Sequence, residues 1–123
     1  MNKLRNEPPL HRVQLRMRAY RGEDIAVGPG KIALLQAIAH THSISAAARE
    51  LGMSYRRAWL LVDALNRSLR EPAVATSTGG ARGGGSVVTP SGLALIQCYR
   101  AIETTAATAA AAHIEALKRM LAP

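Results

Sequence analysis

Between His42 and Leu69 the chain reads HSISAAARELGMSYRRAWLLVDALNRSL, and this stretch restricts the fold more than any other. Ser43 or Ser45 can accept a hydrogen bond from the free N–H groups of a helix starting beside them. Ala46, Ala47 and Ala48 keep that helix thin, and Leu51 is its expected apolar anchor. Gly52 can adopt the left-handed backbone conformation that ends helices. Ser54 then offers a fresh N-cap. Trp59, Val62, Leu65 and Leu69 recur at steps of 3, 3 and 4, the expected buried stripe of a second helix. Two helices, a short glycine-containing turn and small residues at the crossing make a helix-turn-helix. An ordinary helical hairpin has no reason to put Tyr55, Arg56 and Arg57 on the first turn of its second helix, where a recognition helix meets base edges and phosphates. Ser43, Ser45, Ser54, Tyr55, Arg56 and Arg57 are therefore the expected DNA contacts.

Charge points the same way. The 123 residues carry 16 Lys and Arg against 8 Asp and Glu, a formal net charge of +8. Such an excess favours polyanions, nucleic acid first and anionic membrane second. The length suits one domain, and 48% apolar residues exclude wholesale disorder. With no phenylalanine and 3% aromatics, the core must be aliphatic, and stacking platforms for unpaired bases are poor candidates. The single cysteine, Cys98, allows no internal disulfide and fits a reducing compartment. No apolar run approaches the roughly 18 residues of a membrane span, and MNKLRNEPPLHR lacks the apolar region of a signal peptide. Residues 1–11 are expected to be a disordered leader. The expected location is cytoplasmic, on the nucleoid, with no membrane partner.

Around the central stretch, RVQLRMRAY (12–20) alternates strictly, with Val13, Leu15, Met17 and Ala19 on one face, and predicts a half-buried edge strand. GPG (28–30) places Pro29 at a helix N-terminus, and Ile32, Leu35 and Ile38 give the following KIALLQAIAH an apolar face. The second helix of the pair should end near Arg70, before Pro72. AVATST (73–78) and SVVT (86–89) are rich in β-branched residues and predict two strands. Thr89 and Pro90 then supply the N-cap and N1 of a final helix.

Between the two strands lies TGGARGGGS, with Gly79, Gly80, Gly83, Gly84 and Gly85 around Arg82. A phosphate-binding loop would need a lysine in place and a helix afterwards, and here a strand follows. A hairpin tip fits. After a helix-turn-helix, such a hairpin is a wing whose bare backbone can lie against the sugar-phosphate surface, with Arg82 reaching the minor groove or a phosphate. A loop without contacts is the alternative.

The last segment can run about 30 residues, or about 45 Å of helix, more than this small body can bury. Ile96, Tyr99, Glu103, Ala106, Ala110, His113, Leu117 and Met120 recur at steps of 3 and 4, and the middle, TTAATAAAA, permits close helix approach. Residues 93–123 are thus expected to be a long dimerisation helix following a winged helix-turn-helix over 12–92. A solvent-facing alanine-rich helix with no partner is the alternative. The fold class is mostly α with a small β-sheet.

GPGKIALLQAIAHTHSISAAARELGMSYRRAWLLVDALN and TSTGGARGGGSVVTPSG together resemble the N-terminal DNA-binding domain of ModE-type molybdate-dependent transcriptional regulators, a winged helix related to the LysR type. The resemblance covers roughly residues 12–105, with SISAAA, GMSYRRAW and TGGARGGGSVVTPSG its most specific parts. It implies a homodimer on a pseudo-palindromic operator, with Ser54, Tyr55, Arg56 and Arg57 at the DNA, Gly79 to Gly85 in the wing and Trp59 at a core position. Family members carry molybdate-binding domains after the long helix, whereas this chain ends at Pro123. Molybdate is accordingly not an expected ligand of this chain. His40 and His42 could be half of a metal site, completed from afar by His11, His113 or Cys98, but two histidines in a helix-ending turn are more often solvated side chains, and no metal or cofactor is assigned. No catalytic constellation stands out, so an enzyme is not expected. Beside the sequence-specific regulator stand two alternatives, a non-specific architectural DNA binder and an effector- or metal-gated sensor using the long helix or His40 and His42.

Overall fold

The computed structural model describes residues 9–77 and 85–123. The elements in chain order are β1 (Ala19–Arg21), β2 (Asp24–Val27), α1 (Pro29–Thr41), α2 (Ile44–Glu50), α3 (Tyr55–Ser68), β3 (Val74–Ser77), β4 (Gly85–Val88), α4 (Pro90–Ala109) and α5 (Ala111–Met120). β1 and β2 pair antiparallel, and so do β3 and β4, the latter in a register that sets Val74 against Val88 and Ser77 against Gly85. Helices thus dominate, with two small two-stranded sheets, in the arrangement of a winged helix-turn-helix.

α1 is the hub. Gly28 caps it and Pro29, with its φ preset for a helix, occupies the first turn. Ile32, Leu34, Leu35, Ala37 and Ile38 are buried, so apolar contacts surround much of the helix rather than one stripe. It packs against α2, α3, α4 and β4. His42 ends it in the left-handed region (φ 58°), its N–H bonded to the Ile38 carbonyl at 2.8 Å. Leu65 from α3 and Tyr99 from α4 complete an otherwise aliphatic centre. The Tyr99 hydroxyl donates to the Met17 carbonyl at 2.8 Å and fastens the N-terminal segment to α4. Burial raises the Tyr99 pKa, with Glu103 adding to it.

Several expectations need correction. The strand expected over residues 12–20 is reduced to Ala19–Arg21, which pairs with β2 across a turn at Gly22. Val13 and Met17 are half-buried as the alternation implied, but Leu15 is 42% exposed. Alternation supplies a face, and a strand also needs a ladder partner, which residues 12–18 do not have among the described residues. The single 30-residue helix is divided at Ala110 (φ −93°, ψ 3°), which caps α4 and precedes α5. Thr104, Thr105 and Thr108 lower the local helix propensity, and the small side chains around them offer little packing to straighten the ladder. Leu51 is 38% exposed, and Ile44, Ala47 and Ala48 anchor α2 instead. Trp59 is 47% exposed; the buried stripe of α3 is Ala58, Val62 and Leu65. Tyr99, expected on a dimer seam, is 1% exposed and belongs to the protomer's own core.

Candidate nucleic-acid interface

Capping sets the geometry of the helix pair. Ser43 Oγ accepts the Ala46 N–H at 3.0 Å and starts α2. Ala47 and Ala48 are almost fully buried, leaving only methyl groups where α2 meets its neighbours. Leu51 N–H bonds to the Ala47 carbonyl at 3.1 Å and Met53 N–H to the Ala48 carbonyl at 2.9 Å, closing α2 around Gly52. Gly52 has φ 69°, where a β-carbon would be strained, so glycine is the residue that turns the chain here at least cost. Ser54 Oγ accepts the Arg57 N–H at 3.1 Å and starts α3.

With Ala58, Val62 and Leu65 facing inward, the first two turns of α3 turn Tyr55, Arg56, Arg57, Trp59 and Leu60 to solvent. Neither Arg56 nor Arg57 is in an ion pair among the described residues. Ser45 is exposed at the start of α2 and accepts from Arg49 Nη1 at 3.2 Å. A serine hydroxyl that accepts in a cap keeps its own proton to donate. Ser43, Ser45, Ser54, Tyr55, Arg56 and Arg57 thus gather at the N-terminal ends of two adjacent helices.

The β3–β4 hairpin is fixed to this platform at its base. Asn66 Oδ1 accepts the N–H groups of Ala73 (2.8 Å) and Val74 (3.1 Å), while its Nδ2 donates to the Val74 carbonyl at 3.0 Å. Ser86 N–H donates to the His42 carbonyl at 3.0 Å and Thr89 N–H to the Ala73 carbonyl at 2.9 Å. Thr89 Oγ1 accepts the Gly92 N–H and opens α4, as its sequence position implied. At Gly92 an added β-carbon would collide with the Ala73 carbonyl oxygen and lie 2.7 Å from Val88 Cγ1. Gly85 is the first residue of β4; Gly79, Gly80, Arg82, Gly83 and Gly84 lie outside the described residues.

Between α3 and the hairpin is a cleft of about 380 Å³, lined by Ser43, Ser45, Tyr55, Trp59, Thr76 and Ser77 among others. The sequence pattern places Trp59 in the core because it begins a stripe with Val62, Leu65 and Leu69 at steps of 3, 3 and 4. Ala58, Val62, Leu65 and Leu69, spaced 4, 3 and 4, offer an equally regular stripe, and that was the signal that could have released Trp59 to the surface. Asn66 had no signal, because its partners are backbone groups seven and eight residues away.

Elsewhere, the expected dimer positions separate. Ile96 is half-buried against the core, and Ala110 is partly buried. Ala106, His113, Leu117 (48%) and Met120 (79%) are exposed, together with Ile102 at 44%. His40 Nε2 meets Glu50 Oε1 at 2.9 Å, and this hydrogen bond is the main cause of a raised His40 pKa. Among the described residues, no three His, Cys, Asp or Glu side chains are grouped to hold a metal ion, and no helix is long and apolar enough to cross a membrane.

Residues 30–93, more than half of the chain, match the family model for bacterial regulatory helix-turn-helix proteins of the lysR family. The molybdenum-pterin-binding protein MopB of Rhodobacter capsulatus is 53% identical over 77 residues, 63% of this chain and 28% of that protein. Molybdenum-pterin-binding protein MopA of the same organism is 44% identical over 77 residues, 63% of this chain and 29% of that protein. The DNA-binding transcriptional dual regulator ModE of Escherichia coli strain K12 is 42% identical over 71 residues, 58% of this chain and 27% of that protein. The similarity thus spans less than a third of the length of each of these curated relatives.

Proposed function

Because the chain belongs to the lysR family of bacterial regulatory helix-turn-helix proteins, we propose that it regulates transcription as a homodimer bound sequence-specifically to an inverted-repeat DNA operator. The observation that carries this reading is the outward face of α3, where Tyr55, Arg56 and Arg57 are exposed on the first turn and neither arginine is in an ion pair among the described residues. In this reading α3 enters the major groove. Arg56 pairs with the O6 and N7 acceptors of a guanine, and Arg57 neutralises a phosphate. Ser43, Ser45 and Ser54 donate their hydroxyl protons to phosphates and fix the register. The wing, with Gly79, Gly80, Gly83, Gly84, Gly85 and Arg82, follows the backbone to the adjacent minor groove.

Ile102, Ala106, His113, Leu117 and Met120 form the seam to a second copy, with Ile96 and Ala110 bordering it. The similarity to the Escherichia coli relative, a DNA-binding transcriptional dual regulator, supports the DNA assignment.

Selection of binding sites from random duplex DNA at physiological salt tests the proposal. An enriched inverted repeat, with half-sites about one helical turn apart, is the expected result. Equal affinity for all sequences, falling steeply as salt rises, would mean a non-specific architectural binder held by charge alone.

A further inference from the structure

The cleft between α3 and the wing is lined differently from the surfaces beside it. Arg56 and Arg57 stand on the outer side of α3, yet no charged side chain lines the cleft itself among the described residues. Its hydroxyls, all neutral, are those of Ser43, Ser45, Tyr55, Thr76, Ser77 and Ser86, and the half-exposed indole of Trp59 supplies an apolar wall. When a recognition helix occupies the major groove and a wing reaches the neighbouring minor groove, the sugar-phosphate strand separating the two grooves must pass between them. Hydroxyl donors suit its phosphate oxygens, and an indole face suits the apolar side of deoxyribose.

We infer that this cleft is a neutral seat for the DNA backbone, with Trp59 packed on a sugar and Ser77 and Thr76 donating to phosphate. The inference rests on the DNA-binding reading above and adds a physical consequence to it. Lysine and arginine contacts release counterions and set the salt dependence of binding, with a slope of about 0.9 per phosphate neutralised. Neutral contacts release none. Trp59, Thr76 and Ser77 therefore contribute affinity that does not vary with salt, and they order the strand without weakening discrimination between operators, whereas Arg49, bonded to Ser45 at 3.2 Å, is the nearby cation that does add to the salt slope.

Trp59 is the only tryptophan in the chain, and it borders both the cleft and the outer face of α3 beside Arg56, so its fluorescence reports on α3 at the DNA while Ser77 reports on the cleft. The test combines acrylamide quenching of Trp59 with anisotropy titrations of the selected duplex at several salt concentrations. In the wild-type complex, Trp59 becomes markedly less accessible to acrylamide than in the free protein. Ser77→Ala weakens binding by roughly two- to tenfold, the range for one lost hydrogen bond, and Trp59→Ala by about tenfold or more as its apolar packing is lost. Both variants keep the wild-type salt slope, whereas Arg56→Ala lowers it or relaxes base preference. Ser77 lies exposed at the end of β3, so its variant folds whatever happens at Trp59. Duplex binding that leaves Trp59 as accessible as before, with Ser77→Ala at wild-type affinity, overturns the cleft assignment while DNA binding stands. Absence of duplex binding by the wild-type chain overturns the proposed function and this inference with it.

Discussion

Asn66 grips the backbone of Val74 from both sides, accepting its N–H at 3.1 Å and donating to its carbonyl at 3.0 Å. Since Asn66 is in the last turns of α3 and Val74 begins β3, one amide fixes the wing's base to the recognition helix. Asn66→Ala removes three hydrogen bonds and leaves partly buried backbone groups unpaired, at an expected cost of about 2–4 kcal/mol. Asn66→Asp keeps the acceptor and loses the donor, so it should fall between the two. Urea unfolding of the three proteins checks the order, and a change below about 0.5 kcal/mol for Asn66→Ala would remove the buttress from the account.

Gly92→Ala should act against the usual trend. Replacing a helical glycine by alanine ordinarily stabilises by about 0.5–1 kcal/mol. Here the new methyl group meets the Ala73 carbonyl oxygen and Val88 Cγ1. Overpacking against fixed backbone should reverse the sign and destabilise by about 1–3 kcal/mol, visible as a lower unfolding midpoint.

His40 and Glu50 join the C-terminal ends of α1 and α2. The hydrogen bond to Glu50 raises the His40 pKa above its ordinary value. Its contribution to stability is therefore fully present below the unfolded histidine pKa, and it is lost as pH rises through the raised folded value. An NMR titration should find His40 protonated to higher pH than a free histidine, and Glu50→Gln should bring it down. An unchanged titration in that variant would show that the contact does not hold in solution.

Leu117 and Met120 extend from α5 into solvent. The double variant Leu117→Glu, Met120→Glu should keep its helical content yet sediment as a monomer at concentrations where the wild-type chain is dimeric. A dimer that survives both charges would place the seam elsewhere.

What the sequence disclosed follows from how local each cause is. Caps and turns need only neighbouring residues, and Ser43, Gly52, Ser54, Thr89 and Pro29 stand where their chemistry placed them. The β3–β4 hairpin was legible because β-branched runs flank the glycines. The solvent-facing residues of α3 were legible only in part. Arg56 and Arg57 announce themselves by charge, whereas Trp59 does not, because two stripes on α3 compete and tertiary packing chose the one with the smaller Ala58. Residues 12–18 show the reverse error, with a regular alternation and no strand to pair with among the described residues. Tyr99 fits a heptad and is nonetheless consumed by the core, since α4 must first pack on α1 before it can face a second copy.

The most direct test of the central claim is the affinity of wild-type chain and Arg56→Ala for the selected operator and a set of its single-base variants, at one physiological salt concentration. If α3 reads bases, Arg56→Ala loses about 1–3 kcal/mol on the matched operator and becomes indifferent to one base position in each half-site. A uniform loss across all sequences would contradict this, and would make Arg56 a phosphate contact on a protein whose specificity lies elsewhere.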